Sequence, residues 1–387
     1  MSVFATDVAR KAVPPFPDMG IDRGWEPSAL LVTTLLLVSL GLVTLYSAST
    51  LLAQRQDLPD TFYVLRQAAG VGIGLVLLVV CSRIPHGWWR ALAWPGVFAS
   101  FVLLVLTVLP VTEAVAPEIN GARRSLDLGV SFQPTELAKL AILVWTAHMA
   151  VRKSEQFRSL SRGFLPFLLV WGALLTPILL QPDLSSAFVA GLCGAVVLFA
   201  AGGRIAHFVL LSLLVGPLVL AQLGEGFRQA RMMAFGDVEE FAAAEGYQVH
   251  QSLIAIGSGG ITGVGFGEGR QKFGFLPEPH NDFIFAMIGE EWGLLGVIVV
   301  LGLYLTLVLV GFRIARGAPD LFGQLLAIGI TSMIALQALL HIGVGLGVVP
   351  PTGLSLPLVS YGRSNLLVSM TGVGMLLSIG RSMRGLS

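Results

Sequence analysis

The chain alternates long apolar runs with short polar breaks from end to end. About 20 apolar residues suffice to cross a bilayer as a helix. Eight runs are clear candidates: Ser28 to Ala48, Gln67 to Ile84, Ala91 to Val111, Phe164 to Leu180, Ile205 to Ala221, Phe283 to Val310, Leu321 to Leu346 and Leu366 to Ile379. Two more, Glu136 to Ala150 and Ser186 to Ala201, are shorter, and the first opens on Glu136 and Lys139. The pattern predicts an all-α integral membrane protein, a polytopic bundle of about ten transmembrane helices. The long polar break from Leu223 to Asp282 falls between the seventh and eighth runs and predicts a large extracytoplasmic loop. Residues 1–27 form a polar, proline-containing leader, 28–380 a single polytopic membrane domain and 381–387 a short tail. The first apolar run continues too far for the core of a signal peptide, so it reads as a retained anchor.

Composition narrows the setting. Of 387 residues, 55% are hydrophobic and 12% charged, with a mean hydropathy of +0.80. That is too little polar surface to clothe a soluble globule. A net charge of +1 lacks the concentrated basic surface that nucleic acid requires. Cys81 and Cys193 sit inside apolar runs and read as small core residues, not a disulfide framework. With the N-terminus inside, Arg10, Lys11, Arg23, Arg83, Arg90, Arg152, Lys153, Arg158, Arg162, Arg204, Arg313, Arg316, Arg381 and Arg384 all become cytoplasmic, as do both termini. Trp88 and Trp89, beside Arg90, belong at an interface.

Chemistry concentrates on the opposite face. The run Gly257 to Asp282 places a glycine-rich, charged insert directly before an apolar helix and ends in a carboxylate at the membrane boundary, where ionisable groups are costly unless functional. Its glycines at 257, 259, 260, 263, 265, 267 and 269 follow no predicted strand and read as a hinge or re-entrant segment in preference to a phosphate loop. No GxxxxGK[ST], GxSxG or zinc-type spacing occurs, and His250 and His280 are isolated. No repeat relates the two halves, which weighs against an inverted-repeat transporter. Asn120 to Arg124, Gln133 to Glu136, Gln181 to Asp183, the long loop and Pro350 to Asn365 share this face and can line a cavity. Arg123, Arg124, Lys139, Arg228, Arg231 and Lys272 against Glu136, Asp183 and Asp282 suit a ligand with phosphate and a group to be deprotonated.

Four segments carry a resemblance: NGARRSLDLGVSFQPTELAKL (Asn120 to Leu140), QPDL (Gln181 to Leu184), Gly246 to Gly293 with its HNDFIF and IGEE elements, and PPTGLSLPLVSYGRSN (Pro350 to Asn365). In order and spacing they resemble the SEDS family of cell-wall polymerases, FtsW and RodA, over essentially all of the chain after about residue 28. Ile288 to Glu291 and Gly353 to Pro357 look more like the division branch than the elongation branch. The resemblance implies a peptidoglycan glycosyltransferase of the bacterial inner membrane, at the division septum, that polymerises lipid II, a disaccharide-pentapeptide on undecaprenyl pyrophosphate. It also implies a class B penicillin-binding protein as partner, whose lone transmembrane helix would dock on the eighth and ninth helices, together with other divisome proteins. The family's essential aspartate falls on Asp282. Lys139, Glu136, Asp183, Arg123, Arg124, Arg228, Arg231, Lys272 and Ser360 are the expected substrate-binding set. The requirement for a divalent cation such as Mg²⁺ stays open, as no metal motif is present.

Simpler readings compete. Asp282 suits the N-cap of the helix after it, and capping and catalysis are not exclusive. Lys139 pairs with Glu136 at i,i+3 or else reaches pyrophosphate or Asp183. Glu290 and Glu291, about two turns into the helix, call for pairing or protonation and read first as structural. Ser125, Ser185, Ser186, His341, Arg363 and Asn365 depart from the family pattern, His341 standing where an asparagine is expected. A transporter of the lipid-linked precursor and a non-catalytic division scaffold are the alternatives to an enzyme.

Overall fold

In the computed structural model, residues 24–383 are described except 114, 119–121, 128, 130, 158, 225–231, 234, 237–240, 242, 243 and 245. The fold is built from α1 (Glu26–Arg55), α2 (Phe62–Arg83), α3 (Ala93–Val108), α4 (Pro134–Lys153), α5 (Leu165–Leu180), α6 (Leu184–Ala200), α7 (Ile205–Leu223), α8 (Tyr247–Gly259), α9 (Ile284–Arg316), α10 (Leu321–Gly345) and α11 (Arg363–Ser382). A small antiparallel pair, β1 (Leu126–Asp127) and β2 (Ser131–Phe132), sets Leu126 opposite Phe132 before α4. Helices lie over every apolar run read from the sequence. Six are long and apolar enough to cross a membrane, and α3 and α6 are apolar but shorter. Local chemistry fixes several ends: Asp183 accepts the Ser186 N–H at 3.1 Å to start α6, and Asp320 accepts that of Gly323 at 2.7 Å to start α10.

Burial sorts the helices. α10 has 72% of its most apolar stretch inside the protein, whereas none of that of α7 is buried. Trp145, Phe164, Phe167 and Trp171 fill the core among α4, α5 and α6, and the Trp171 Nε1–H donates to Thr146 Oγ1 at 2.9 Å. Small residues bring backbones close. Gly70 of α2 lies under Arg363 and Leu366 of α11, and Gly374 of α11 packs on the backbone of Leu78. The outer surface is apolar, with Phe98, Leu213 and Leu305 exposed, as suits contact with lipid.

Segments expected on one side meet there. His86 and Arg90 before α3, Asp320 before α10 and Ser382 at the end of α11 form one polar cluster, and Arg313 pairs with Glu26 at 3.3 Å. Burial pushes the Asp320 carboxyl up, but hydrogen bonds from His86 and the Gly323 N–H, with the charges of Arg90 and His86, outweigh it and hold the carboxyl below its usual range.

Two expectations change. The run Phe283 to Val310 is not one continuous helix: α9 breaks at Gly293 (φ 64°, ψ −161°). The glycine-rich segment is pinned across the break, with Val264 N donating to Glu290 O at 3.0 Å and Leu294 N to Gly260 O at 2.9 Å. A side chain at Gly293 would meet Ile261 O at 2.6 Å, so glycine serves both the left-handed backbone and the close approach. The long loop is also not wholly irregular. It contains α8, which docks on α9 and α10 and whose Ser252 donates to Gly345 O at 2.7 Å.

Candidate active site

Asp282 lies in the turn leading into α9 and is partly exposed. The helix N-cap falls on Phe283, not Asp282, and Phe283 supplies no side-chain cap. The turn is held by Asn281 N and Asp282 N, both donating to Glu278 O at 3.1 Å, with Glu278 at a positive φ of 48°.

The segment after α10 clamps this turn. Tyr361 N donates to His280 O at 3.0 Å, and Ser360 Oγ donates to Asn281 O at 2.7 Å while accepting from Leu356 N at 2.9 Å. Gln67 Nε2 of α2 donates to Ser360 O at 3.1 Å. Tyr63, His280 and Tyr361 stack mutually, with centroids 5.4 to 5.5 Å apart. Burial pushes the His280 imidazole below its ordinary pKa, against the pull of Glu278. Gly353 (φ 67°) forms the near wall, since a Cβ there would sit 3.9 Å from Asp282 Oδ2. α2 and the segment after α10 thus hold the turn that carries Asp282 at the mouth of α9.

Several expected ligand residues are otherwise engaged. Lys139 is fully buried 2.7 Å from Glu136, whose other oxygen accepts from Asn365 Nδ2 at 3.2 Å. The pair braces α4 against α11, and burial removes both side chains from any open cavity. No ion pair joins Lys139 to Asp183, which caps α6. Lys272 Nζ binds Glu291 Oε1 at 3.1 Å, Ser47 Oγ at 2.8 Å and Gly267 O, so its donors tie the loop to α1 and α9 in place of holding pyrophosphate. Ser360 engages its hydroxyl with the backbone groups of Leu356 and Asn281. Arg123 pairs with Glu113, and Arg124 donates to Gln181 O at 3.3 Å and Pro182 O at 3.1 Å. Arg228 and Arg231 lie outside the described residues. Glu290 accepts from Arg270 N at 2.7 Å and Gln271 N at 3.2 Å, which ties the glycine-rich loop to α9.

One cavity of about 270 Å³ is lined by Thr107, Glu118, Arg123, Gln181 and Pro182 among others, and another of about 450 Å³ by Ser258, Val264, Glu268, Arg270 and Glu290. Neither is lined by Asp282. Among the described residues, no three His, Cys, Asp or Glu side chains converge on a metal site. Sequence reasoning missed the contribution of α2. Tyr63, Gln67 and Gly70 repeat at helical spacing on the face turned to α11, and Arg66 stacks on Phe62 at 5.1 Å. That spacing was the available signal.

The model of the cell cycle protein family of FtsW, RodA and SpoVE matches residues 28–385. The chain belongs to this family. Stage V sporulation protein E of Bacillus subtilis is 40% identical over 359 residues, covering 92% of this chain and 97% of the relative. A probable peptidoglycan glycosyltransferase FtsW of Trichlorobacter lovleyi is 38% identical over 357 residues, covering 92% and 93%. Among solved structures, a chain of a peptidoglycan synthase complex that coordinates polymerization and crosslinking superposes with a TM-score of 0.77 at 30% identity, covering 94% of this chain and 98% of that one. RodA of Thermus thermophilus, a rod shape determining protein, gives 0.67 at 32% identity with the same coverage. The FtsW/RodA/SpoVE fold accounts for the polytopic helical membrane architecture, with its apolar exterior and its polar segments gathered on one face.

Proposed function

We propose that the chain is a peptidoglycan glycosyltransferase that polymerises lipid II, with Asp282 as general base. The observation that carries the reading is a partly exposed carboxylate at the mouth of α9, on a turn whose backbone the segment after α10 clamps. In the reaction, Asp282 takes the proton from the acceptor sugar hydroxyl as that oxygen attacks the anomeric carbon of the donor. The bond from that carbon to pyrophosphate breaks with inversion, and the departing charge needs cations, not a second acid. Arg363, at the start of α11 two residues from Tyr361, and Arg66 on α2, the helix that carries Tyr63, supply the positive charge in this reading. They replace Lys139 and Lys272 in that role. Arg123 and Arg124, beside the Gln181 cavity, serve the distal part of the substrate.

The proposed setting is the bacterial inner membrane with both termini cytoplasmic. A class B penicillin-binding protein is the proposed partner, and septal synthesis the proposed process. A fluorescent fusion at midcell supports the septal assignment, and one spread along the side wall replaces it with elongation. For the chemistry, the purified protein with its transpeptidase partner is given lipid II and glycan chains are measured. Asp282→Asn should reduce polymerisation by about 100-fold or more, the scale of a lost general base. Undiminished polymer from that variant would sink the proposal, and lipid II flipping unaffected by it would favour a transporter.

A further inference from the structure

Behind the wall that faces Asp282, α10 buries Gln337 and His341 one turn apart on one face. His341 Nδ1 is 2.7 Å from Leu354 O, so that nitrogen carries the proton and donates, and Nε2 is left with a lone pair. Asn365 Nδ2 donates to both Glu136 Oε2 and Gln337 Oε1 at 3.2 Å, and Ser369 Oγ donates to Asn365 Oδ1 at 3.4 Å. These bonds orient both amides. They leave the Gln337 NH₂ as a donor with no partner, and His341 Nε2 likewise lacks one. A buried donor and a buried acceptor on adjacent turns are the groups that one internal water satisfies. Leu354, gripped by His341, follows Gly353, where a Cβ would sit 3.9 Å from Asp282 Oδ2.

We propose that His341 is a positioning residue for Asp282. Its Nδ1 anchors Leu354 and so the Gly353 wall, while its Nε2 shares one buried water with Gln337 and ties that wall to the Glu136, Lys139 and Asn365 network. The inference rests on the reading of Asp282 as the base.

Two substitutions separate the ring nitrogens. The amide of His341→Asn takes the place of Nδ1 and keeps the donor to Leu354, whereas that of His341→Gln takes the place of Nε2 and loses it. The full chain with its partner is assayed on lipid II per folded molecule, and hydrogen exchange is followed in the peptide spanning 352–358. The expected result is a kcat for His341→Asn close to the parent. For His341→Gln, kcat should fall about 10- to 100-fold with little change in KM, the scale of a small displacement of a reacting group. Exchange in that peptide should quicken only in His341→Gln. Equal kcat values for the two variants, or equal exchange, would overturn the anchor. Asp282→Asn run in parallel keeps the readings apart: normal polymerisation there defeats the base, while the exchange contrast still reports on His341. A high-resolution map should place a water within reach of both nitrogens in the parent, and a side chain filling that space would overturn the shared water.

Discussion

Lys139→Met is the most direct test of whether the α4 ion pair braces the bundle. The ammonium lies 2.7 Å from Glu136 Oε1, with side chains 0% and 6% exposed. Removing the cation leaves the Glu136 carboxylate buried with Asn365 as its remaining partner. Breaking a buried pair on one side costs about 3–5 kcal/mol, because the surviving charge is neither solvated nor neutralised. Adding Glu136→Gln removes that charge while keeping an acceptor for Asn365, and replacing both members of a buried pair is often close to neutral. The double variant should therefore recover most of the loss. Thermal unfolding of detergent-purified protein should rank the parent and the double variant well above Lys139→Met, and polymer made per folded molecule by the double variant should match the parent. If Lys139→Met melts with the parent, or the double variant melts no higher than the single, the bracing argument fails. A stable double variant that makes no polymer would return Lys139 to the substrate.

Other substitutions probe the clamp and the helix break. Gly293→Ala should cost about 1–3 kcal/mol from the left-handed backbone alone, more with the contact to Ile261 O, and an unchanged melting temperature would refute it. Ser360→Ala deletes the donor to Asn281 O and the acceptor for Leu356 N; kcat should fall about tenfold or more with KM nearly constant, and a change confined to KM would point to substrate contact instead. For pH, a His280 pKa lowered by burial means its contribution is intact above about pH 6.5 and is lost as pH falls from there toward the folded value. The depressed Asp320 carboxyl contributes above about pH 3.9, and that contribution disappears as pH drops through its folded value. Melting temperature followed from pH 8 downward should decline below about pH 6.5, less steeply in His280→Phe. A parent profile flat to about pH 5 would contradict the buried neutral imidazole.

The helices and the sidedness of the polar segments were legible in the chain because each rests on local pattern. An apolar run seeks lipid wherever it lies, and polar breaks such as Gln181 to Asp183 and Pro350 to Asn365 must leave lipid at its edges. Asp282 was legible through its motif. The position of the N-cap was not, since it depends on where the backbone turns helical, one residue later. The break at Gly293 was hidden inside a long, mostly apolar run, and there the backbones of Gly260 and Val264 pair across it.

Charge itself is written in the residues, but the partner of a charge is not. Lys139, Lys272, Glu290 and Glu291 read alike as ionisable groups near a membrane boundary. Only packing shows that α2 and the segment after α10 hold the turn that carries Asp282 while Lys139 is sealed against Glu136 and Lys272 is spent on Glu291. Sequence alone determined that the chain lives in lipid and gathers its chemistry on one face, because the cost of placing polar groups in hydrocarbon is set residue by residue. Which of those groups stay accessible to a substrate was decided by tertiary structure, because electrostatic and hydrogen-bond partners come from segments as far apart as Gln67 and Ser360, and that distance closes only on folding.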